Sequence, residues 1–340
     1  MAVEQLDLDV VGPYLQAHID GFDGLKSAEK FAGGQSNPTF LLTANSGQYV
    51  LRKQPPGKLL KSAHAVDREF RVIEALADTD VPVARAYHLC TDRDLIGGMF
   101  YVMSYENGRI FWDPALPDCD APERAAIYNE MNRVLAALHD VAVDAVGLAD
   151  YGRPGNYFER QISRWSAQYK ASETEEIAAM DQLIVWLPAN LPADDGQASL
   201  VHGDYRLDNI VFHPTEGRAL AVLDWELSTL SHPYADLAYQ CMQLRMGQDA
   251  VISGLGGLDR QKLGIPSEQE YVADYCRRRG LEDIPNWNFY IAFSFFRLAA
   301  ILQGVLKRAL DGNASSDRAL EYGALAPKLA NEAINVIERE

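Results

Sequence analysis

A change of hydrophobic period partway along the chain limits its possible folds more than any other feature. From about Lys30 to Ser104 the apolar residues fall in short β-forming runs. Pro38 to Ala44 and Gln48 to Lys53 flank the turn Asn45-Ser46-Gly47, and Ala86 to Cys90 and Met99 to Ser104 flank the polar stretch Thr91 to Asp94. One helix interrupts them: after Pro55-Pro56-Gly57, from about Ser62, the residues Val66, Phe70, Ile73 and Leu76 recur at helical spacing. Beyond the break at Glu106-Asn107-Gly108 the pattern turns helical, first over Pro122 to Asp140, where Ile127, Met131, Val134, Leu135 and Leu138 share a face. Further helices are expected near 157–170, 174–187, 268–279, 287–311 and 317–338, with a hairpin, Ile210 to Phe212 and Ala219 to Leu223, set among them. These runs predict an α+β chain of two lobes. Residues 1–104 form about five antiparallel strands plus a helix, 105–340 form a mainly helical lobe with the inserted hairpin, and the hinge lies at about 103–108.

Composition excludes several classes of function. Lys and Arg number 31 against 48 Asp and Glu, and the formal charge of -17 repels nucleic acid and anionic membrane surfaces alike. Cys90, Cys119, Cys241 and Cys276 are scattered without a CxxC pair, so neither a zinc site nor a redox motif is expected, and a reduced, cytoplasmic chain is the simplest reading. Glu4, Asp7 and Asp9 stand where a signal peptide needs positive charge. The apolar stretch Ile291 to Leu306 contains Arg297 and Gln303 and falls short of the ~20 residues that cross a bilayer. It is expected to be a buried core helix. There is no internal repeat and no low-complexity tract.

The strongest chemical signal is VHGDYRLDNIVF, residues 201–212, because Asp204 and Asn209 lie five apart just before the hairpin, the D-x-x-x-x-N spacing of a phosphoryl-transfer catalytic loop. The hairpin returns the chain to Asp224 in LDWE, so that a base, an amide oxygen and a second carboxylate would share one cavity. Phosphoryl transfer has a loose transition state, and the protein must orient the acceptor hydroxyl, hold Mg²⁺ on the phosphates and neutralise charge. Asp204 is the candidate base, and Asn209 and Asp224 are the candidate metal ligands through hard oxygens. Short Asp-Asn loops also cap helices and turns, and a single lysine or glutamate usually faces solvent. Order along the chain gives the combination its weight: Lys53 ends the second hairpin strand and Glu69 lies on the following helix, as for a lysine that holds the α and β phosphates while pairing with a carboxylate. The turn Gly33-Gly34-Gln35-Ser36-Asn37 is a phosphate-binding candidate, although Gly-Gly-x-Ser-Asn is also an ordinary turn. His202 reads as a hydrogen-bonded structural histidine and Asp236, in SHPYADLAY, as a buried loop organiser.

These residues resemble the aminoglycoside phosphotransferase and choline kinase superfamily, small-molecule relatives of the protein kinases, over most of the chain. GGQSNPTFLL, VLRKQPPGKLLKSAHAVDREFRV, HGDYRLDNIVFHPTEGRALAVLDWELSTLSHPYADLAY and FSFFRLAAILQGVLKRALDGNASS look like the branch associated with acyl-CoA dehydrogenases. The resemblance implies a two-lobed protein-kinase-like fold and ATP- and Mg²⁺-dependent phosphotransfer. It also implies an adenine slot at Met103-Ser104-Tyr105-Glu106, served by the Ser104 carbonyl and the Glu106 amide. Lys53, Glu69, Asp204, Asn209 and Asp224 match the family positions. Trp225 follows Asp224 where protein kinases carry Phe-Gly, and no A-P-E follows, which argues for a small-molecule acceptor rather than a peptide.

The branch implies a hydroxyacyl-CoA thioester as acceptor and a functional link to an acyl-CoA dehydrogenase; the competing acceptor is an aminoglycoside or other polycationic alcohol, which an acidic cleft would attract. A reading of another class is a module that binds a nucleotide or CoA without catalysis, against which the five intact polar positions count. Lys58, Lys61 and Arg109 are candidate cations for CoA phosphates, with solvated surface charge as the plainer reading. Arg297, inside an apolar helix, is expected to pair with an acid or else to face the acceptor.

Overall fold

Alternating burial turns the β-forming runs into a five-stranded antiparallel sheet of order β1-β2-β3-β5-β4. Helix α1 (Leu8–His18) is followed by β1 (Leu25–Lys30), β2 (Thr39–Ala44), β3 (Gly47–Lys53), α2 (Val66–Leu76), β4 (Ala86–Cys90) and β5 (Phe100–Ser104). The computed structural model describes residues 5–31, 37–55, 64–153, 155–249, 251–313 and 318–338. Asn45 and Ser46 close the β2–β3 turn, and the two strands pair from Ala44↔Gly47 to Thr39↔Arg52. Successive side chains of a strand point to opposite faces. Phe40, Leu42, Tyr49, Leu51, Phe100 and Val102 therefore share one face, where they cluster with Val11 and Leu15 of α1. The other face carries the cross-strand pair Arg52 and Tyr101. Helix α1 was not expected from the sequence, since its buried face is short and Pro13 interrupts it.

The rest of the chain holds α3 (Ala121–His139), α4 (Tyr157–Ser172), α5 (Ala178–Ala189), β6 (Ser199–Val201), β7 (Ile210–Phe212), β8 (Ala219–Val222) and β9 (Thr229–Ser231). Helices α6 (Tyr234–Arg245), α7 (Arg260–Leu263), α8 (Glu268–Arg279), α9 (Trp287–Leu310), α10 (Ala319–Gly323) and α11 (Ala326–Ile337) complete it. The β7–β8 hairpin is the one expected, and β6 pairs with β9 in a second short ribbon. Helix α9 is long and apolar enough to cross a membrane, but 83% of its apolar window is buried in the protein, so it serves as a core helix. The single helix expected over 317–338 is two, because Pro327 stands at the start of α11 and lacks the N–H that would continue α10. Helix α6 escaped the periodicity because it is buried nearly all round, which leaves no polar stripe to reveal a 3.6-residue repeat.

The chain divides into two compact units, the first comprising residues 1–110, 144–148 and 209–228, the second 111–143, 149–208 and 229–340. The β7–β8 hairpin thus belongs with the five-stranded sheet. Gly108 makes this possible, for a Cβ there would come within 2.2 Å of the Phe212 carbonyl oxygen. With the side chain absent, Arg109 N–H donates to Phe212 O at 2.7 Å and Phe212 N–H donates back to Arg109 O at 2.8 Å. All four cysteines are buried and lie outside any disulfide.

Candidate active site

In the first unit the chemistry gathers around Arg52. Strand alternation brings its side chain out on the face that bears Tyr101, beside Glu69 of α2. Arg52 Nε lies 2.9 Å from Glu69 Oε2, and its terminal nitrogen donates to Asp224 Oδ1 at 2.6 Å and lies 3.8 Å from Glu226 Oε2. Glu69 is fully buried and also accepts from Asn37 Nδ2 at 2.9 Å and from the Tyr101 hydroxyl at 3.3 Å. Burial pushes the Glu69 carboxyl up to about 7; Arg52 opposes the rise, and Asp224 and Glu226 add to it by repulsion. Burial works against the Arg52 charge, but the acids around it win and hold the guanidinium above its ordinary value.

Asn209 and Asp224, the two candidate metal ligands, are brought to one end of the β7–β8 hairpin. The ladder runs one rung past Ile210↔Val222, with Leu223 N–H donating to Asn209 O at 2.8 Å. Asp224 follows in the left-handed region, φ 66°, an uncommon conformation for a residue with a side chain. It turns the chain out of the strand and leaves the Asp224 side chain 37% exposed. Trp225 anchors that turn, buried, with its indole N–H on Val222 O at 3.0 Å. Among the described residues no group of three or more His, Cys, Asp or Glu could hold a metal unaided. Mg²⁺ is usually held by one or two carboxylates together with the substrate's own phosphates and waters, and Asn209 and Asp224 are hard-oxygen donors of that kind. Three carboxylates around one arginine also leave local negative charge for a divalent cation to offset, so Asn209 and Asp224 fit the ion by donor type and by charge.

The expected Lys53–Glu69 pair requires correction: the cation on Glu69 is Arg52. Lys53 shares its parity with Tyr49 and Leu51 and therefore lies on the α1 face of the sheet, where its ammonium donates to Ile96 O at 3.0 Å. A shift of one residue along a strand exchanges faces, and the order of charges along the chain does not say which face α2 covers. Gly33, Gly34, Gln35 and Ser36 of the glycine turn lie outside the described residues, as do Lys58 and Lys61. Asn37, the last residue of that turn, is buried against Glu69 and His64, with its Oδ1 3.1 Å from His64 Nδ1. Ser104 Oγ accepts from Arg85 N–H at 2.8 Å and donates to Glu106 Oε1 at 2.5 Å, which ties the Ser104 and Glu106 side chains together. Arg109, a candidate for CoA phosphates, donates to the His213 and Glu216 carbonyls at 3.0 and 3.2 Å and so anchors the hairpin turn.

Asp204 lies in the second unit, in a loop held by buried charge. Asp236 is in the first turn of α6 rather than in a loop, and it accepts from the backbone N–H groups of His202 at 2.6 Å and Gly203 at 2.9 Å. Burial would raise the Asp236 carboxyl, but His139, with Nε2 3.7 Å away, and the His202 amide hold it below the usual carboxylate range. His202 is fully buried and its Nδ1 accepts the Asp204 N–H at 3.2 Å, the structural role expected of it. Arg206 lies 3.5 Å from Asp204 Oδ1 and donates to Asp208 Oδ2 at 2.8 Å. Burial first, and the charge of the nearby Asp204 carboxylate second, push the Tyr239 phenol well above its usual range. Arg297 is 8% exposed and pairs with no acid among the described residues. Its guanidinium donates to Gly203 O at 2.8 Å and lies over the Tyr239 ring at 5.4 Å.

Asp236→Ala removes the acceptor of two buried amides at once, and each stranded amide costs about 1–3 kcal/mol. A large fall in the thermal unfolding midpoint is expected; an unchanged midpoint would mean that the two amides find other acceptors. Arg52 and Tyr239 were missed by sequence reasoning. Strand parity in YVLRK offered the only hint of Arg52, and a tyrosine one turn after Asp236 on a wholly buried helix offered none of Tyr239.

The sequence profile described as the phosphotransferase enzyme family matches residues 27–287. The mouse (Mus musculus) acyl-CoA dehydrogenase family member 10 is 48% identical over 312 residues, which is 92% of this chain but 29% of the mouse protein. This chain therefore spans less than a third of that relative. A crystal structure of a candidate aminoglycoside phosphotransferase from Ralstonia eutropha JMP134 superposes with a TM-score of 0.90 at 50% identity, covering 98% of both chains. Spectinomycin phosphotransferase in complex with ADP and spectinomycin shares the fold at 13% identity, with a TM-score of 0.67 over 98% of this chain and 99% of that one.

Proposed function

The chain belongs to the phosphotransferase enzyme family, and from that premise we propose that it transfers the γ-phosphoryl group of ATP to a hydroxyl group of a hydroxyacyl-CoA thioester. The observation that carries the phosphotransfer reading is the hairpin end that carries both Asn209 and Asp224, with Arg52 bridging Asp224 to buried Glu69. Asn209 and Asp224 would hold Mg²⁺, which when bound neutralises phosphate charge. Arg52, fixed by Glu69, offers a cation to the phosphates, and the 103–106 segment offers backbone groups to the adenine.

Asp204 is the base in this reading. The acceptor oxygen forms its bond to the γ-phosphorus as the bond to the bridging oxygen of ADP breaks, and the hydroxyl proton passes to the Asp204 carboxylate. Arg206, beside Asp204, carries positive charge near the transferring group. The thioester acceptor is supported by the relative whose name is that of an acyl-CoA dehydrogenase, of which this chain matches one part. Phosphorylation turns a hydroxyl into a leaving group, a step that would prepare a hydroxyacyl chain for a dehydrogenase to use.

The test is an ADP-release assay with Mg-ATP and a panel of hydroxyacyl-CoA thioesters and aminoglycosides, paired with calorimetric ATP titrations with and without Mg²⁺. Turnover on the thioesters is expected. Turnover on aminoglycosides alone would replace the acceptor, and ATP binding without turnover on any alcohol would turn the protein into a non-catalytic nucleotide-binding module.

A further inference from the structure

Arg297 is a buried cation with no acid paired to it among the described residues. Burying an ion costs several kcal/mol unless its geometry returns the loss, and a residue that merely filled the space inside α9 would be apolar like its neighbours Phe295, Phe296 and Leu298. Among the described residues the guanidinium has one hydrogen-bond acceptor and lies over one ring, and both lead to Asp204.

The first partner is the Gly203 carbonyl, 2.8 Å from Arg297. That oxygen belongs to the planar peptide that joins Gly203 to Asp204, and the N–H on the far side of the same plane donates to His202 Nδ1 at 3.2 Å. Gly203 has φ +85°, where a residue without a side chain leaves the peptide easy to rotate. Its own N–H is already fixed on Asp236 at 2.9 Å. Holding the carbonyl removes the remaining freedom and sets the direction in which the Asp204 Cα–Cβ bond leaves the backbone. The second partner is the Tyr239 ring, over which the guanidinium lies at 5.4 Å, and the Asp204 carboxylate is close enough for its charge to raise the Tyr239 phenol. One side chain thus touches both the peptide that carries Asp204 and the ring of a tyrosine that senses the charge of the same carboxylate.

We propose that Arg297 is a positioning residue for Asp204, orienting it through the Gly203–Asp204 peptide and the Tyr239 ring. This deepens the proposed function and rests on its assignment of Asp204 as base. A base held by two restraints stays within reach of the acceptor hydroxyl, and a misplacement of about 1 Å at such a group costs on the order of 10²-fold in rate.

Arg297→Met keeps an unbranched apolar stem but no donor, Arg297→Lys keeps a donor, and Tyr239→Phe removes only the hydroxyl. With Mg-ATP and 3-hydroxybutyryl-CoA, and activity expressed per folded molecule, R297M should lower kcat by about 10- to 10²-fold with an unchanged KM for ATP. R297K should recover most of the loss, and Y239F should lower kcat in the same sense. Wild-type kcat in folded R297M, or R297K no better than R297M, overturns the proposal. A second measurement needs no acceptor: in hydrogen exchange the Asp204 amide should exchange faster in R297M than in wild type while the amides between β2 and β3 keep their protection. Equal protection at Asp204 overturns the proposal too. Failure of the base assignment looks different, since Asp204→Asn would then keep full turnover whatever residue stands at 297.

Discussion

Asp204→Asn should lower turnover by about 10²- to 10⁴-fold while leaving ATP affinity intact. Asparagine keeps the shape of the side chain, and the backbone contacts by which Asp236 and Arg297 hold the loop do not involve the Asp204 carboxylate. What is lost is a group that can take the acceptor proton. The nucleotide-binding candidates, Arg52, Glu69, Asn209 and Asp224, all lie in the other compact unit. Stopped-flow ADP release and calorimetric ATP titration of the same preparation separate the two quantities. A drop smaller than about tenfold would place Asp204 outside general-base chemistry, and a parallel loss of ATP affinity would make it part of nucleotide binding instead.

The second large effect is on stability, at Arg52. Arg52→Met leaves Glu69 fully buried with hydrogen bonds from Asn37 and Tyr101 but no cation, and breaking a buried pair in this way costs about 3–5 kcal/mol. The loss should depend on pH with a definite sign. Glu69 has its carboxyl raised from 4.5 to about 7 in the folded protein, so between those values the native state binds more protons than the unfolded chain. Its contribution is present in full below about 4.5, declines as the pH rises through that window and is absent above about 7. Without Arg52 the upper bound moves higher still, because the cation that favours the ionised form is gone. Urea midpoints of wild type and R52M should therefore lie closest in mild acid and diverge toward pH ~8, where Glu69 can no longer escape its desolvation by taking a proton. A gap that is the same at both ends, or wider in acid, would show that Glu69 is not the group left behind. Glu69→Gln in the R52M background should restore part of the lost stability above pH ~7, because a neutral amide replaces the stranded charge.

Much of the architecture was legible because it is written in local chemistry. Asn45-Ser46-Gly47 marked the β2–β3 turn, the repeat Val66, Phe70, Ile73, Leu76 marked α2, and helices α3, α4, α5, α8 and α9 followed from the apolar pattern. The elements that stayed hidden lack such marks. Helix α6 has no polar face, while β6 and β9 are three residues each and pair across about thirty residues of intervening chain. No local pattern encodes a contact of that separation.

The same division runs through the site. The sequence by itself determined which residue types are present and in what order: Asp204 and Asn209 five apart, a hairpin returning to Asp224, and a basic strand end before a helix with a glutamate. The packing of α2 decided which basic residue matters. Both Arg52 and Lys53 satisfy the order, and a pleated strand sends them to opposite faces, so the face that receives Glu69 chooses between them. Likewise the sequence supplied Asp236, Tyr239 and Arg297 as polar residues in apolar surroundings, and only the tertiary structure could give them an object. Their partners around Asp204 lie up to 94 positions away, and a buried charge takes its meaning from whatever polar group folding places within hydrogen-bond reach.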